Sequence, residues 1–176
     1  MSQGEKKYKF ILVPAFRISR DDKKEGLPKE QRLNNYDNVK HLLEDIEWDL
    51  HGGAQSTYGD WQVENREEFC HAAAARVKIV REICESGKYD AIVLLGGGEP
   101  GFFEAREITR KYNMVVTSCA FSQMHTATML GNKFSVIDFA ESHNMFYYNL
   151  VIQHRMERRC ASIRNLGGYY HPRPGC

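Results

Sequence analysis

Along the chain, short runs of apolar residues alternate with longer stretches in which apolar positions recur every three or four residues. That is the pattern of buried strands alternating with amphipathic helices. The clearest run is Ala91 to Leu95, five consecutive apolar residues followed by Gly96, Gly97 and Gly98. It is too short for a helix and reads as a central strand buried on both faces, turning sharply at its glycines. Tyr8 to Val13, closed by Pro14, predicts the first strand, and the less apolar Ile46 to Leu50 a second one nearer an edge. Met114 to Ser118, Lys133 to Phe139 and Cys160 to Ile163 predict the fourth, fifth and sixth.

Between these runs, Asn65-Arg66-Glu67-Glu68 fits a helix N-cap with an acidic residue three positions on. Phe69, Ala73, Val77, Val80 and Cys84 then keep helical spacing until Gly87. Pro100 suits the first turn of a helix from Gly101 to Lys111; Phe121 to Leu130, ended by Gly131, and Glu141 to Arg158 complete the set. Asp21 to Asn38 is a long polar loop, a lid or a plain solvated insertion, before a short helix from Asp37 to Asp45. His51 to Gly59 and Gly167 to Cys176 carry no apolar period and read as irregular chain.

Strict alternation predicts a flavodoxin-like parallel sheet with helices on both faces, because right-handed crossovers set each strand beside the last. In the strand order 2-1-3-4-5 the reversal brings the Pro14 to Arg20 loop beside Gly96 to Gly101, where such sheets bind ligands. The free N–H groups of Gly97, Gly98 and the following helix start would attract a carboxylate or phosphate there.

Charge narrows the ligand. The 24 Lys and Arg nearly cancel 23 Asp and Glu, which leaves no long-range field for nucleic acid or a membrane surface and favours a small molecule. No apolar stretch is long enough to span a membrane, and Met1 to Lys9 is too polar for a signal peptide, so the expectation is a cytoplasmic protein with reduced thiols. Cys70, Cys84, Cys119, Cys160 and Cys176 are odd in number with no Cys-x-x-Cys pair, and the seven His show no metal-binding spacing. Neither a disulfide framework nor a metal is expected. Cys70 and Cys84 lie on or beside the apolar faces of their helix and read as small buried thiols.

Cys119 is the thiol with chemical promise, since it begins the Phe121 helix, whose N-terminus favours a thiolate. Glu99 is a candidate base beside the glycine loop or a turn-stabilising acceptor. His125 is a candidate acid or base, or a core histidine bonded to a backbone carbonyl. Ser118, Ser122 and Gln123 can donate to a carboxylate at that helix start, and Arg17 can pair with it bidentately. Arg155, Arg158 and Arg159, with Phe146, Tyr147 and Tyr148, need no function beyond an apolar helix face and cations near a helix end.

The stretch from Tyr89 to Val93 through Gly98-Glu99-Pro100-Gly101 and Glu104-Ala105-Arg106-Glu107 resembles the aspartate/glutamate/hydantoin racemase superfamily. The resemblance continues through Met124 to Gly131 and Lys133 to Ile137, and more weakly to Gln153-His154, Cys160-Ala161 and back to Gly59 and Val63-Glu64. It covers residues 59–165 and is strongest over 89–137. It implies a first α/β lobe, 1–118, with the glycine-loop site, and a partial second lobe, 119–176. It further implies a cofactor-free isomerase that makes a carbanion beside a carboxylate or carbonyl, with a small carboxylate or cyclic ureide as substrate.

Racemases of that superfamily use two cysteines across the substrate's α-carbon. Gly96 stands at the first of those positions and cannot carry a proton, and the second position is expected beyond residue 176. The superfamily's malonate decarboxylases, which lack the first cysteine, are the related alternative. Gly97-Gly98 with Cys119 is also similar to the nucleophile elbow of class I glutamine amidotransferases, which implies a Cys119-dependent hydrolase. A non-catalytic small-anion binder is the remaining alternative. A second lobe left incomplete would expose a sheet edge, and homo-oligomers are expected from that.

Overall fold

The structure, a computed structural model, describes residues 8–15, 27–33, 36–53, 63, 65–138 and 143–167. Arg17, Cys176 and most of the Pro14 to Arg20 loop lie outside the described residues. Four parallel strands form the main sheet in the order β2-β1-β3-β4: β1 Tyr8–Val13, β2 Ile46–Leu50, β3 Ala91–Leu94 and β4 Val115–Ser118. The order reverses between β1 and β3, so their carboxyl ends open the crevice in which ligands of such sheets sit.

Register decides what each face buries. Ile11 lies opposite Ile92 and Val13 opposite Leu94. These four, each no more than 5% exposed, form one face. They pack under α3 (Arg66–Ser86) and α4 (Phe102–Arg110) with Ile79, Val80, Ile83, Phe102 and Ile108. Phe10 lies opposite Trp48 on the alternate positions, and Tyr36 of α2 (Tyr36–Val39) meets the Trp48 ring at 5.7 Å. Among the described residues the crossover from β1 to β2 contains α1 (Lys29–Arg32), α2 and a 3₁₀ turn Lys40–Leu43. α1 lies within the stretch expected to be loop, and the short helix expected from Asp37 to Asp45 is instead α2 followed by the 3₁₀ turn.

α3 is bounded as its sequence dictates. The Asn65 side chain accepts from the Glu68 N–H at 2.9 Å, and Gly87 ends the helix in the left-handed region at φ 62. α4 differs from expectation. Pro100 stands outside it, and Gly101 precedes Phe102 with φ 78, because the chain must double back from the glycine loop before a helix can start. A Cβ on Gly101 would lie 3.0 Å from the Ala73 carbonyl oxygen, so α3 and α4 meet through a residue with no side chain.

The fifth strand does not extend the main sheet. β5 (Phe134–Asp138) pairs in parallel with β6 (Cys160–Asn165) as a separate two-stranded sheet, and α5 (Cys119–Leu130) and α6 (Asn144–Gln153) pack on it. Ala120, Met124, Leu150, Val151 and Ile163 form its core. β5 buries alternate positions and leaves Ser135 and Ile137 exposed, which suits a strand covered on one side. α6 is shorter than predicted: it ends at Gln153, and Arg155 turns the chain back at φ 58. Arg159 then donates to the Thr128 and Gly131 carbonyls, so it serves the end of α5 rather than of its own helix.

Two substitutions check this account by urea denaturation. Asn65→Ala removes the cap and should cost about 1 kcal/mol of stability. Gly101→Ala combines a disfavoured φ with a clash against backbone and should cost more, about 2 kcal/mol or above.

Candidate functional site

At the carboxyl ends of β1 and β3 the chain encloses a cavity of about 220 Å³. Ala15, Val63, Phe69, the three glycines Gly96, Gly97 and Gly98, and Pro100 form its walls on one side. Asp138, His143, Phe146 and Tyr147 close it from the second sheet. The N–H groups of Gly97 and Gly98 have no hydrogen-bond partner among the described residues. Such a volume fits a small ligand, since pockets for drug-sized molecules begin near ~300 Å³.

Gly96 is the most constrained of the three: it holds φ 103, a conformation L side chains rarely adopt, and a Cβ there would approach Ala15 Cβ to 3.2 Å. A Cβ on Gly97 would run into the Tyr147 hydroxyl, whereas one on Gly98 would make only ordinary contact with the Phe69 ring at 3.5 Å.

Behind it lies a buried polar cluster. Arg76 of α3 is completely buried and donates to the carbonyls of Pro100 (3.1 Å), Val13 (3.3 Å) and Leu95. One side chain thus ties α3 to the ends of β1 and β3. Burial pushes its guanidinium down to about 10, still cationic at neutral pH, with the charges of Cys119 and Glu99 opposing that fall. The buried carboxylate of Glu99 accepts from the Ser118 hydroxyl and the Phe121 N–H, and His154 Nε2 donates to its other oxygen at 2.7 Å. Ser118 is the N-cap of α5 but makes no side-chain cap of its own; Glu99 supplies the capping acceptor from across the fold.

Of the residues singled out by sequence, Gly96, Gly97 and Gly98 come together on the cavity wall. Glu99 does not reach the cavity: its side chain is fully buried among three donors, the role of a turn and helix-cap acceptor. Ser118 is committed to Glu99. His125 Nδ1 donates to the Phe121 carbonyl one turn back at 2.8 Å, which makes it a structural histidine. Ser122 bonds Thr117 at 2.8 Å on the surface, Gln123 borders a separate groove with Met124 and Phe134, and Gly101 faces Ala73. Cys119 sits behind the loop, outside the cavity wall. Burial raises its thiol above the ordinary value, and the Gly96 N–H and the Arg76 charge only partly offset that.

Sequence reading passed over Arg76, Asp138 and His143, and met His154 only in a weaker part of the resemblance. Arg76 interrupts an apolar helix face, a local inconsistency that marks a buried charge, but only the fold reveals its carbonyl partners. Asp138 and His143 belong to no motif; His143 Nδ1 donates to Asp138 Oδ2 at 2.6 Å. No cluster of three or more His, Cys, Asp or Glu among the described residues is arranged to hold a metal ion. No helix among them is long and apolar enough to cross a membrane.

The cluster makes two outcomes measurable. With its thiol raised, Cys119 should alkylate far more slowly than exposed Cys70 at pH 7, the gap narrowing above pH 9.0, as mass spectrometry of iodoacetamide adducts would show. Glu99→Ala leaves Ser118, Phe121 and His154 without their acceptor and should lower stability by about 3 kcal/mol or more in thermal denaturation.

No family profile matches the sequence, and no curated protein is detectably similar to it. Comparison of folds does find relatives. Allantoin racemase from Klebsiella pneumoniae superposes with a TM-score of 0.64 at 17% identity, over 90% of this chain and 58% of that one. Allantoin racemase from Pseudomonas fluorescens gives 0.65 at 20% identity, over 92% and 61%. Maleate isomerase from Pseudomonas putida S16, solved with maleate, gives 0.53 at 10% identity, over 90% and 62%. The chain thus spans about three fifths of the length of the enzymes it superposes on. Its architecture is the α/β fold that these racemase and isomerase structures share.

Proposed function

We propose that this protein binds a small carboxylate or cyclic ureide in the cavity beside Gly96, Gly97 and Gly98 and carries out cofactor-independent proton transfer at the carbon next to its carbonyl. The observation that carries this reading is the cavity itself: it opens at the carboxyl ends of β1 and β3, and two of its wall glycines have uncommitted N–H groups. Those donors suit the oxygen of an enolate, where negative charge develops as the proton leaves. Residues 1–118 provide the glycine loop as one lobe, and residues 119–176 provide the facing wall. Allantoin, for which two of the superposed structures are named, is a cyclic ureide, and maleate is a small dicarboxylate. Both classes fit the size of the cavity.

A small-anion binder without turnover is the second reading, favoured by the placement of Cys119 behind the loop and of Gly96 where the superfamily resemblance assigns a cysteine. The buried, raised thiol of Cys119 argues against a hydrolase built on it.

The test is proton NMR in deuterium oxide with a panel of amino acids, 5-substituted hydantoins and arylmalonates, together with thermal shift on the same compounds. Exchange at the α-carbon supports the isomerase reading; carbon dioxide loss from the malonates identifies the decarboxylase. Thermal stabilisation with no exchange or decarboxylation identifies the binder.

A further inference from the structure

We infer that Asp138 is the base of this cavity, the group that takes the proton from a carbon acid bound beside the glycine loop. This rests on the preceding reading that the cavity holds a carbon acid with a neighbouring carbonyl.

Asp138 closes β5 at the edge of the cavity, and His143 stands just before α6 on the same wall. Their side chains are 9% and 12% exposed, and the His143 Nδ1–H donates to Asp138 Oδ2. One carboxylate oxygen is thereby fixed, which leaves Oδ1 as the oxygen not bonded to His143. A buried histidine that orients a carboxylate at a cavity wall is the arrangement a positioned general base requires. Tyr147 follows His143 by four residues and so lies one turn along the same face of α6. The proton-bearing side chains of the described wall, Asp138, His143 and Tyr147, therefore all come from the second sheet and its helix. Of these, Tyr147 reaches across to the glycine loop, where its hydroxyl would meet a Cβ on Gly97, while Asp138 and His143 stay on the β5 side.

In this reading the C–H bond beside the carbonyl breaks toward Asp138 Oδ1, and its electron pair moves into the carbonyl. The resulting enolate oxygen takes hydrogen bonds from the Gly97 and Gly98 N–H groups. The protonated Asp138 then gives a proton back, to the same carbon or to one conjugated with it. No other reactant is consumed.

The experiment follows 5-substituted hydantoins and amino acids in deuterium oxide, with exchange read by NMR and binding by thermal shift. The wild-type protein should incorporate deuterium above the buffer blank. Asp138→Asn should slow that exchange by about 100-fold or more while thermal stabilisation by the ligand persists. Should Asp138→Asn disturb folding, Asp138→Ala with added formate replaces it, and formate should restore part of the exchange. His143→Gln, whose amide can still donate to Asp138, should retain more exchange than His143→Ala, as expected of a positioning residue.

Exchange that survives Asp138→Asn overturns this inference and leaves the proposed function standing. Loss of exchange together with loss of ligand stabilisation in both Asp138 variants marks the residue as structural and also overturns it. Silence from folded wild-type protein overturns the inference and the isomerase reading together.

Discussion

A carboxylate taken out of water must be surrounded by donors, and the fold around the cavity is organised by the way Glu99 meets that demand. Its oxygens collect a hydroxyl from the end of β4, an N–H from the first turn of α5 and an imidazole from the end of α6. The backbone of Glu99 is itself left-handed at φ 57, a conformation held in place by these three anchors. The His154 ring that completes the set is packed among Phe102, Phe103 and Phe121, so the polar contact is sealed by aromatic surface. Through one side chain the glycine loop, the main sheet and the second sheet acquire fixed relative positions.

Arg76 performs the complementary task from the other side. It donates to the Val13 and Leu95 carbonyls where β1 and β3 end and to the Pro100 carbonyl ahead of α4. With Arg76 and Glu99 in the same neighbourhood, the ground beneath the cavity carries both signs of charge in buried form. Both make their hydrogen bonds to the fold itself, and the ionisable groups on the described cavity wall are instead Asp138, His143 and Tyr147.

Much of the fold was legible in sequence because it depends on local patterning. Ala91 to Leu94, Tyr8 to Val13 and Ile46 to Leu50 are continuous enough in apolar character to be strands, and Asn65 and Gly87 bracket α3 through cap chemistry readable in a few residues. The departures arose where tertiary contact prevailed. α4 begins after Pro100 because Gly101 has to fit against Ala73, and α6 stops at Gln153 where His154 is held by Glu99, 55 positions away in sequence. β5 has no sequence signal that distinguishes joining β4 from pairing with β6. At the site, the three glycines were legible as a loop that needs unusual backbone. Asp138 and His143 were not, since each is an ordinary polar residue until the fold brings them within 2.6 Å at a cavity wall.

The backbone at Gly96 limits how this loop can be altered. The chain holds φ 103 with Ala15 pressed against it, so a side chain placed there by a single substitution would meet both a strained backbone and a crowded space. A new functional group at position 96 would need a compensating change at residue 15 as well, which makes Ala15 and Gly96 one unit of sequence change.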